Sequence, residues 1–186
     1  MNTSRIVHSL NALALAVITT VLAGAFAEQL LLGELPCPLC LLQRAGLITV
    51  GLGFLLNLRF GTRPAHYGVA LLGCLVGAAS SMRQILLHIA PGDAGYSGAV
   101  FGLHLYTWCF VTFVCLMIGT GVLLVLHPGA GDNRLPHRGL ISTFIMLAFV
   151  GIILANLIST LLECGLTQCP DDPVRYLWLD LLKPSR

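Results

Sequence analysis

The sequence predicts an all-α integral membrane protein, a bundle of about five transmembrane helices. Only 10% of the 186 residues are charged and 56% are hydrophobic, whereas soluble domains carry about 25% charged residues. Five apolar segments are long enough, or nearly so, to cross about 30 Å of hydrocarbon as helices. The segments are continuously apolar rather than alternating, which argues against the strands of a membrane barrel. They are Leu10–Leu32, Leu41–Leu58, Tyr67–Ile89, Val100–Leu126 and Leu140–Leu162.

The first two segments differ in character. The first follows Arg5, and its Ala25-Phe26-Ala27 before Glu28 also fits a signal-peptide cleavage site, so removal of this segment stays open. The second is the shortest and carries Gln43 and Arg44 in its first turn. Polar residues inside a span are costly and therefore point to function.

The last three segments carry packing signals. Gly73 and Gly77 have the Gly-x-x-x-Gly spacing of a close helix crossing in the third, and we expect the same of Gly119 and Gly121 in the fourth. Asn156 in the fifth segment predicts a hydrogen bond to another helix.

Basic residues in the short loops predict the orientation. They precede the first segment and separate the second from the third and the fourth from the fifth, at Arg5, Arg59, Arg63, Arg134 and Arg138. Basic loops stay in the cytoplasm, so the N-terminus is predicted to be cytoplasmic and the C-terminus periplasmic. Residues 1–162 would then form the bundle, with a Cys-x-x-Cys motif at 37–40 on its outer face. Residues 163–186 would form a periplasmic tail with a second cysteine pair.

Two cysteine pairs are the most informative feature of the chain. Cys37-Pro38-Leu39-Cys40 and Cys164-Gly165-Leu166-Thr167-Gln168-Cys169 both fall on the predicted outer face. In a bacterial-type cell this face meets the periplasm, where disulfides persist. A thiol relay at the membrane, a zinc site built from both pairs and purely structural disulfides all fit this pattern. No basic run suggests nucleic acid.

The residues around the first pair favour reactivity. Cys40 lies at the predicted start of a helix, where free N–H groups and the macrodipole favour a thiolate, and Pro38 stiffens the turn between the sulfurs. Arg44 lies one turn further on the same face. Its guanidinium is a candidate to bind the carbonyl oxygen of a lipid-soluble quinone, with snorkelling to the headgroups as the alternative.

Polar residues near the outer ends of the third and fourth segments are further candidates. His88 and His104 would suit a haem held between two helices, a hydrogen bond to a quinone, or a bond to a neighbouring helix. Arg83 is a candidate for the same polar pocket as His88.

These motifs carry a family resemblance. The run from Cys37 to Arg44, Cys-Pro-Leu-Cys-Leu-Leu-Gln-Arg, resembles the signature of the disulfide bond formation protein B (DsbB) family. The stretch from Arg83 to Pro91 is also similar to that family, so the resemblance covers roughly Leu10 to Pro91.

The resemblance implies a helical enzyme of the bacterial inner membrane. Such an enzyme reoxidises a periplasmic thioredoxin-fold oxidant (DsbA-like) and passes the electrons to ubiquinone or menaquinone within the lipid. Cys40 would be the thiolate facing the quinone and Cys37 its disulfide partner. Arg44 would be the arginine of the quinone site, and His88 and Arg83 would contribute to it.

The second pair departs from the family pattern, in which it lies in a long outer loop after the third span. Here that loop, Gly92–Ala99, has no cysteine. Cys164 and Cys169 are therefore interpreted as a displaced shuttle pair, with Cys164 exchanging with Cys37 and Cys169 meeting the soluble partner. A static disulfide in the tail is the alternative. A haem- or metal-binding electron carrier and a non-catalytic membrane protein with structural disulfides also remain as other functional classes.

Overall fold

The computed structural model describes residues 3–93, 95–96, 98–126 and 139–181. Within these ranges five helices are long and apolar enough to cross a membrane, which confirms the predicted all-α bundle. A short hairpin connects the third and fourth helices, and one further helical turn lies in the tail. In chain order the elements are α1 (Thr3–Leu32), α2 (Pro38–Phe60), α3 (Pro64–Leu87), β1 (Ala99–Val100), β2 (Leu103–His104), α4 (Leu105–Val125), α5 (Leu140–Cys164) and α6 (Leu177–Leu181).

Two predicted boundaries were wrong in ways that affect the site. The second helix begins at Pro38 rather than Leu41, because proline suits the first helical position and Cys37 caps it. The fourth helix begins at Leu105 rather than Val100. The preceding residues pair as an antiparallel hairpin, turned by Phe101 and Gly102 with φ of 52° and 79°, which ends any helix there.

Glycines set the distance between α2 and α3. A Cβ on Gly46 would lie 2.9 Å from the Cα of Gly77, and a Cβ on Gly73 would lie 2.7 Å from the backbone N of Val50. The ring of Phe113 from α4 covers Gly77 on the other side. The predicted close packing at Gly73 and Gly77 is therefore confirmed.

The same prediction was wrong for the two glycines of α4. A Cβ added to Gly119 or Gly121 would meet no atom of another described residue within 4 Å, so it would project into open space. Both glycines face away from the neighbouring helices, and their short spacing carries no packing role.

We expect Gly77→Ala to destabilise the bundle, because the added methyl would overlap the Phe113 ring. Overpacking of this kind costs about 1–3 kcal/mol, and the separation of α3 and α4 would have to grow. Thermal unfolding of the purified protein in detergent would measure the loss. Gly121→Ala is the matched control, and an equal loss in both variants would contradict this view of the packing.

Helices α1 and α5 run parallel, and this brings the two cysteine pairs to one end of the bundle. Near their N-termini His8 Nε2 and Ser142 Oγ are 3.2 Å apart. Near their C-termini Gln29 Nε2 donates to Ser159 Oγ at 2.8 Å. Since α2 starts where α1 ends, Cys164 at the end of α5 lies at the same end of the bundle as the start of α2.

Candidate functional site

Cys37 caps α2 with its sulfur. The Cys40 backbone N–H donates to Cys37 Sγ across 3.2 Å, and Cys37 itself has extended backbone angles. The helix N-terminus thus acts on Cys37, whereas the sequence had suggested Cys40. Cys40 is the third residue of the helix, and its side chain lies on the side of the bundle interior.

The Gln84 side chain connects both sulfurs to the interior. Its Nε2 lies 3.5 Å from Cys37 Sγ and 3.7 Å from Cys40 Sγ, and its Oε1 accepts from Gln43 Nε2 at 2.8 Å. The hydrogen bond from the Cys40 thiol lowers the pKa of Cys37 to about 7; burial opposes this shift, and backbone N–H groups and Gln84 reinforce it. The reduced pair therefore holds a thiolate on Cys37 near neutral pH.

We expect Gln84→Leu to raise the pKa of the Cys37 thiol. A hydrogen bond to a charged group is worth about 1.5–3 kcal/mol and one pKa unit is about 1.4 kcal/mol, so the rise should be about one unit. The rate of iodoacetamide labelling of Cys37 in the reduced protein, followed against pH by peptide mass spectrometry, would show its midpoint move up from about 7.

Ser80→Ala is the control for this measurement, because the Ser80 hydroxyl donates to Val76 O of its own helix rather than to a sulfur. A labelling midpoint that stays in place in Gln84→Leu would mean that the amide does not act on the thiolate.

Arg44 joins three helices. Its Nη1 donates to Gln29 Oε1 at 2.7 Å and to Asn156 Oδ1 at 3.1 Å. Its Nη2 donates to Ala25 O at 2.9 Å. The guanidinium therefore points into the bundle, so the snorkelling alternative is wrong, and the predicted interhelical bond of Asn156 is confirmed.

A cavity of about 360 Å³ opens between the helices at this end of the bundle. Cys40 and Arg44 both line it, whereas Cys37 does not. Most of the remaining wall is apolar and comes from α1, α2 and α4. Its lining includes Val21, Gly24, Ala25, Gln29, Leu35, Gln43, Leu47, Gln84, Leu105, Tyr106, Trp108, Cys109 and Thr112.

The structure places two predicted site residues outside this cavity. Arg83 is exposed and does not line the cavity. His88 bonds to Asp93 (Nδ1 to Oδ1, 3.1 Å) and stacks on Tyr106. The residue of this stretch that does reach the cavity is Gln84. Sequence reasoning missed it, although it lies seven residues after Gly77 and so on the same helix face.

Neither His88 nor His104 lines the cavity, and both contact the same aromatic ring. His104 stacks on the same tyrosine, Tyr106, with ring centroids 5.2 Å apart. Among the residues that the structure describes, no three His, Cys, Asp or Glu side chains come together as a metal site. The zinc hypothesis therefore has no ligand set in this part of the chain.

The second pair forms a disulfide between Cys164 and Cys169. Cys164 is buried and Cys169 is partly exposed, so the end of this disulfide that solvent reaches is Cys169. The segment after it returns to the bundle, where the Tyr176 hydroxyl accepts a bond from Gln29 Nε2 at 3.0 Å. Gln29 thus links the tail to Arg44.

Comparison with known proteins gives a family match for the first half of the chain. The family model for disulfide bond formation protein DsbB matches residues 7–97. Within that stretch lie Cys37, Cys40, Arg44 and Gln84, whereas Cys164 and Cys169 lie outside it. No solved structure matches the chain.

Curated relatives agree with the family model. A disulfide bond formation protein B from Chromobacterium violaceum is 41% identical over 73 residues, 37% of this chain and 44% of that protein. One from Xanthomonas campestris is 42% identical over 77 residues, 39% of this chain and 45% of the relative. One from Pseudomonas syringae is 33% identical over 79 residues, 40% of this chain and 46% of the relative. The chain spans about half the length of the curated relatives it matches.

Proposed function

We propose that this chain, whose N-terminal half matches the DsbB family of disulfide bond formation proteins, is a quinone-dependent protein-disulfide oxidoreductase of the bacterial inner membrane. The single observation that carries the proposal is that Cys40 and Arg44 line one largely apolar cavity. A redox sulfur and a fixed cation in such a cavity suit an acceptor that is lipid-soluble and carries carbonyl oxygens.

The cavity residues fit a quinone head group. The volume of about 360 Å³ lies within the usual range of about 300–1,000 Å³ for small-molecule pockets. Arg44 has five N–H donors, and its three bonds to protein oxygens leave two for a carbonyl oxygen. Leu47 and Val21 supply apolar walls for the ring. Bound ubiquinone or menaquinone would supply the two-electron acceptor.

The chain's own residues then perform the thiol chemistry. Cys40 gives up its electrons in the cavity as its sulfur bonds to Cys37, which re-forms the Cys37–Cys40 disulfide. That disulfide is reduced again by the Cys164/Cys169 dithiol, and the resulting Cys164–Cys169 disulfide oxidises a soluble dithiol protein. Each exchange forms and breaks one mixed disulfide. Cys169 is the entry sulfur because it is the more exposed of its pair.

The partner in this proposal is a periplasmic thioredoxin-fold oxidant of the DsbA type. Its dithiol would meet Cys169 on the periplasmic face, in keeping with the predicted orientation. The position of the second pair at the end of α5, rather than after α3, means that the docking surface for this partner includes residues 165–176.

The test is quinone reduction by the purified protein, followed at the ultraviolet band of ubiquinone-1. Reduced DsbA is one donor and dithiothreitol the other. We expect wild type to turn over with both. Cys164→Ser/Cys169→Ser should lose at least about 100-fold with DsbA yet keep turnover with dithiothreitol, a small donor that can reach Cys37–Cys40 directly.

Two other outcomes would contradict parts of this proposal. Equal DsbA-driven turnover in the double variant would make the second disulfide structural. No turnover of wild type with either donor would overturn the proposed oxidoreductase function.

A further inference from the structure

Glu163 is a buried carboxyl that the proposed relay leaves unused. Its side chain has 0% exposure, and neither oxygen has a hydrogen-bond partner in the described part of the chain. Burying a carboxyl without partners is costly, and an ionisable residue inside a span is by default a candidate for function. It directly precedes Cys164 and lies outside the part of the chain that matches the family model.

The register of α5 places Glu163 level with the first cysteine pair. Asn156, Ser159 and Glu163 are all buried, and their spacing of three and four residues puts them on one helix face. Asn156 bonds to Arg44. Glu163 lies seven residues beyond Asn156 along α5, and Cys37 lies seven residues before Arg44, at the start of α2. Both steps lead to the same end of the bundle, and each corresponds to a rise of about 10 Å.

The charged and titratable neighbours agree with this placement. The Glu163 carboxyl interacts electrostatically with Arg44 of α2 and with Cys37, which caps that helix. Tyr96, in the segment before β1, also interacts electrostatically with Glu163. Arg44 in turn interacts electrostatically with Glu28 of α1 and Tyr176 of the tail.

Arg44 does not neutralise Glu163 by direct contact. Among the described residues, no ion pair brings a nitrogen of Arg44 within 4 Å of a Glu163 oxygen. The Arg44 donors reach Gln29, Asn156 and Ala25 instead. A purely structural counter-ion would be expected to pair with the guanidinium, so the carboxyl is held apart and both its oxygens remain available.

We propose that Glu163 carries the proton between the two cysteine pairs during thiol–disulfide exchange, an inference that rests on the proposed function. The Cys164 thiol gives its proton to the Glu163 carboxylate, and its sulfur attacks Cys37. The Cys164–Cys37 bond forms, the Cys37–Cys40 bond breaks, and the electron pair leaves on Cys40. The Cys169 sulfur, having lost its proton to water, then attacks Cys164. Cys37 departs with its electron pair, and the proton from Glu163 passes by way of Cys37 to the Cys40 sulfur, so that the reduced pair ends with its thiolate on Cys37.

Glu163→Gln tests this step because it keeps the size of the side chain and removes its ability to accept a proton. General base catalysis is worth about 10²–10⁴-fold, so DsbA-driven quinone reduction at pH 6.5 should fall by about 100-fold. The deficit should shrink as the pH approaches about 8.5, where cysteine thiols ionise without a base. Glu163→Asp should recover part of the rate, since it restores a carboxyl.

Asp93→Asn is the matched control, because it removes an exposed carboxylate from the same end of the bundle, outside the proposed docking surface and the cavity, and should leave the rate unchanged at every pH. A thermal unfolding curve confirms that Glu163→Gln is folded, and it should be at least as stable as wild type since it buries no charge.

The competing outcomes are distinct. A Glu163→Gln rate that matches wild type, or that is lowered by one constant factor at every pH, would overturn the proton-carrier role while leaving the oxidoreductase intact. Absence of DsbA-driven turnover in wild type would overturn the proposed function and this inference with it.

Discussion

Cys40→Ser will abolish quinone reduction, lowering turnover by more than about 10³-fold, as removal of an essential nucleophile does. Cys40 contributes a sulfur to the cavity wall, whereas Cys37 caps α2 outside it. A serine hydroxyl cannot form the Cys37–Cys40 disulfide or release two electrons. The loss should therefore be equal with DsbA and with dithiothreitol as donor, unlike that of the Cys164/Cys169 double variant.

The same variant should report on the order of the relay. With no Cys40 to resolve it, the Cys37 sulfur remains free to exchange with the second pair, so a Cys37–Cys164 mixed disulfide should accumulate. Peptide mapping under non-reducing conditions would identify it. Cys115→Ala is the control, because this exposed cysteine of α4 takes no part in either pair. Quinone-dependent turnover in Cys40→Ser would refute the assignment of the electron donor.

The helices were predictable because membrane spans follow from hydropathy alone. Continuous apolar segments located all five, with errors of a few residues at ends where a cap or a turn decides the boundary. Cys37 shows the limit: the sequence could not tell whether the helix begins before or after Leu41, because Pro38 both starts helices and interrupts them. The position of that first turn determines which sulfur accepts a hydrogen bond from the backbone N–H groups at the helix N-terminus.

The site was predictable where a costly residue type marked it. Arg44 was identified because an arginine within an apolar segment needs partners. On α3 the same reasoning favoured Arg83 over Gln84, although adjacent residues differ by about 100° around a helix. The phase of α3 is set by Gly73 and Gly77 against α2, and Gln84 continues that face. The charge of Arg83 favoured that residue, whereas the side chain of this stretch that lines the cavity is Gln84.

The sequence predicted that Asn156 of α5 bonds to another helix, but it did not predict that α5 contributes a row of three buried polar residues near the cysteines. Asn156, Ser159 and Glu163 read as isolated polar residues in an apolar segment until the helix is packed against α1. The parallel arrangement fixed by Gln29 and Ser159 then aligns all three with Arg44 and Cys37. Side-chain packing determines which helices are neighbours in a membrane, and the hydropathy of a segment does not show which helix it will contact.

Arg44→Lys should weaken the proposed quinone binding and also destabilise the end of the bundle that holds the cysteine pairs. The lysine keeps the charge but cannot copy the planar fork that reaches Gln29, Asn156 and the Ala25 carbonyl together. Each buried acceptor left without a donor costs about 1–3 kcal/mol. We expect the KM for ubiquinone-1 to rise about 10–100-fold, or about 1.4–2.7 kcal/mol, together with a lower unfolding temperature.

Arg59→Lys separates this effect from a general sensitivity of α2 to the substitution. Arg59 is exposed at the opposite end of the same helix, so its replacement should change neither KM nor stability. If Arg44→Lys lowers the unfolding temperature but leaves the KM for the quinone unchanged, Arg44 ties α1, α2 and α5 together without touching the acceptor. The quinone would then have to be held by Gln43 and Gln84, whose amides meet in the same cavity wall, and Gln43→Leu would raise the KM in its place.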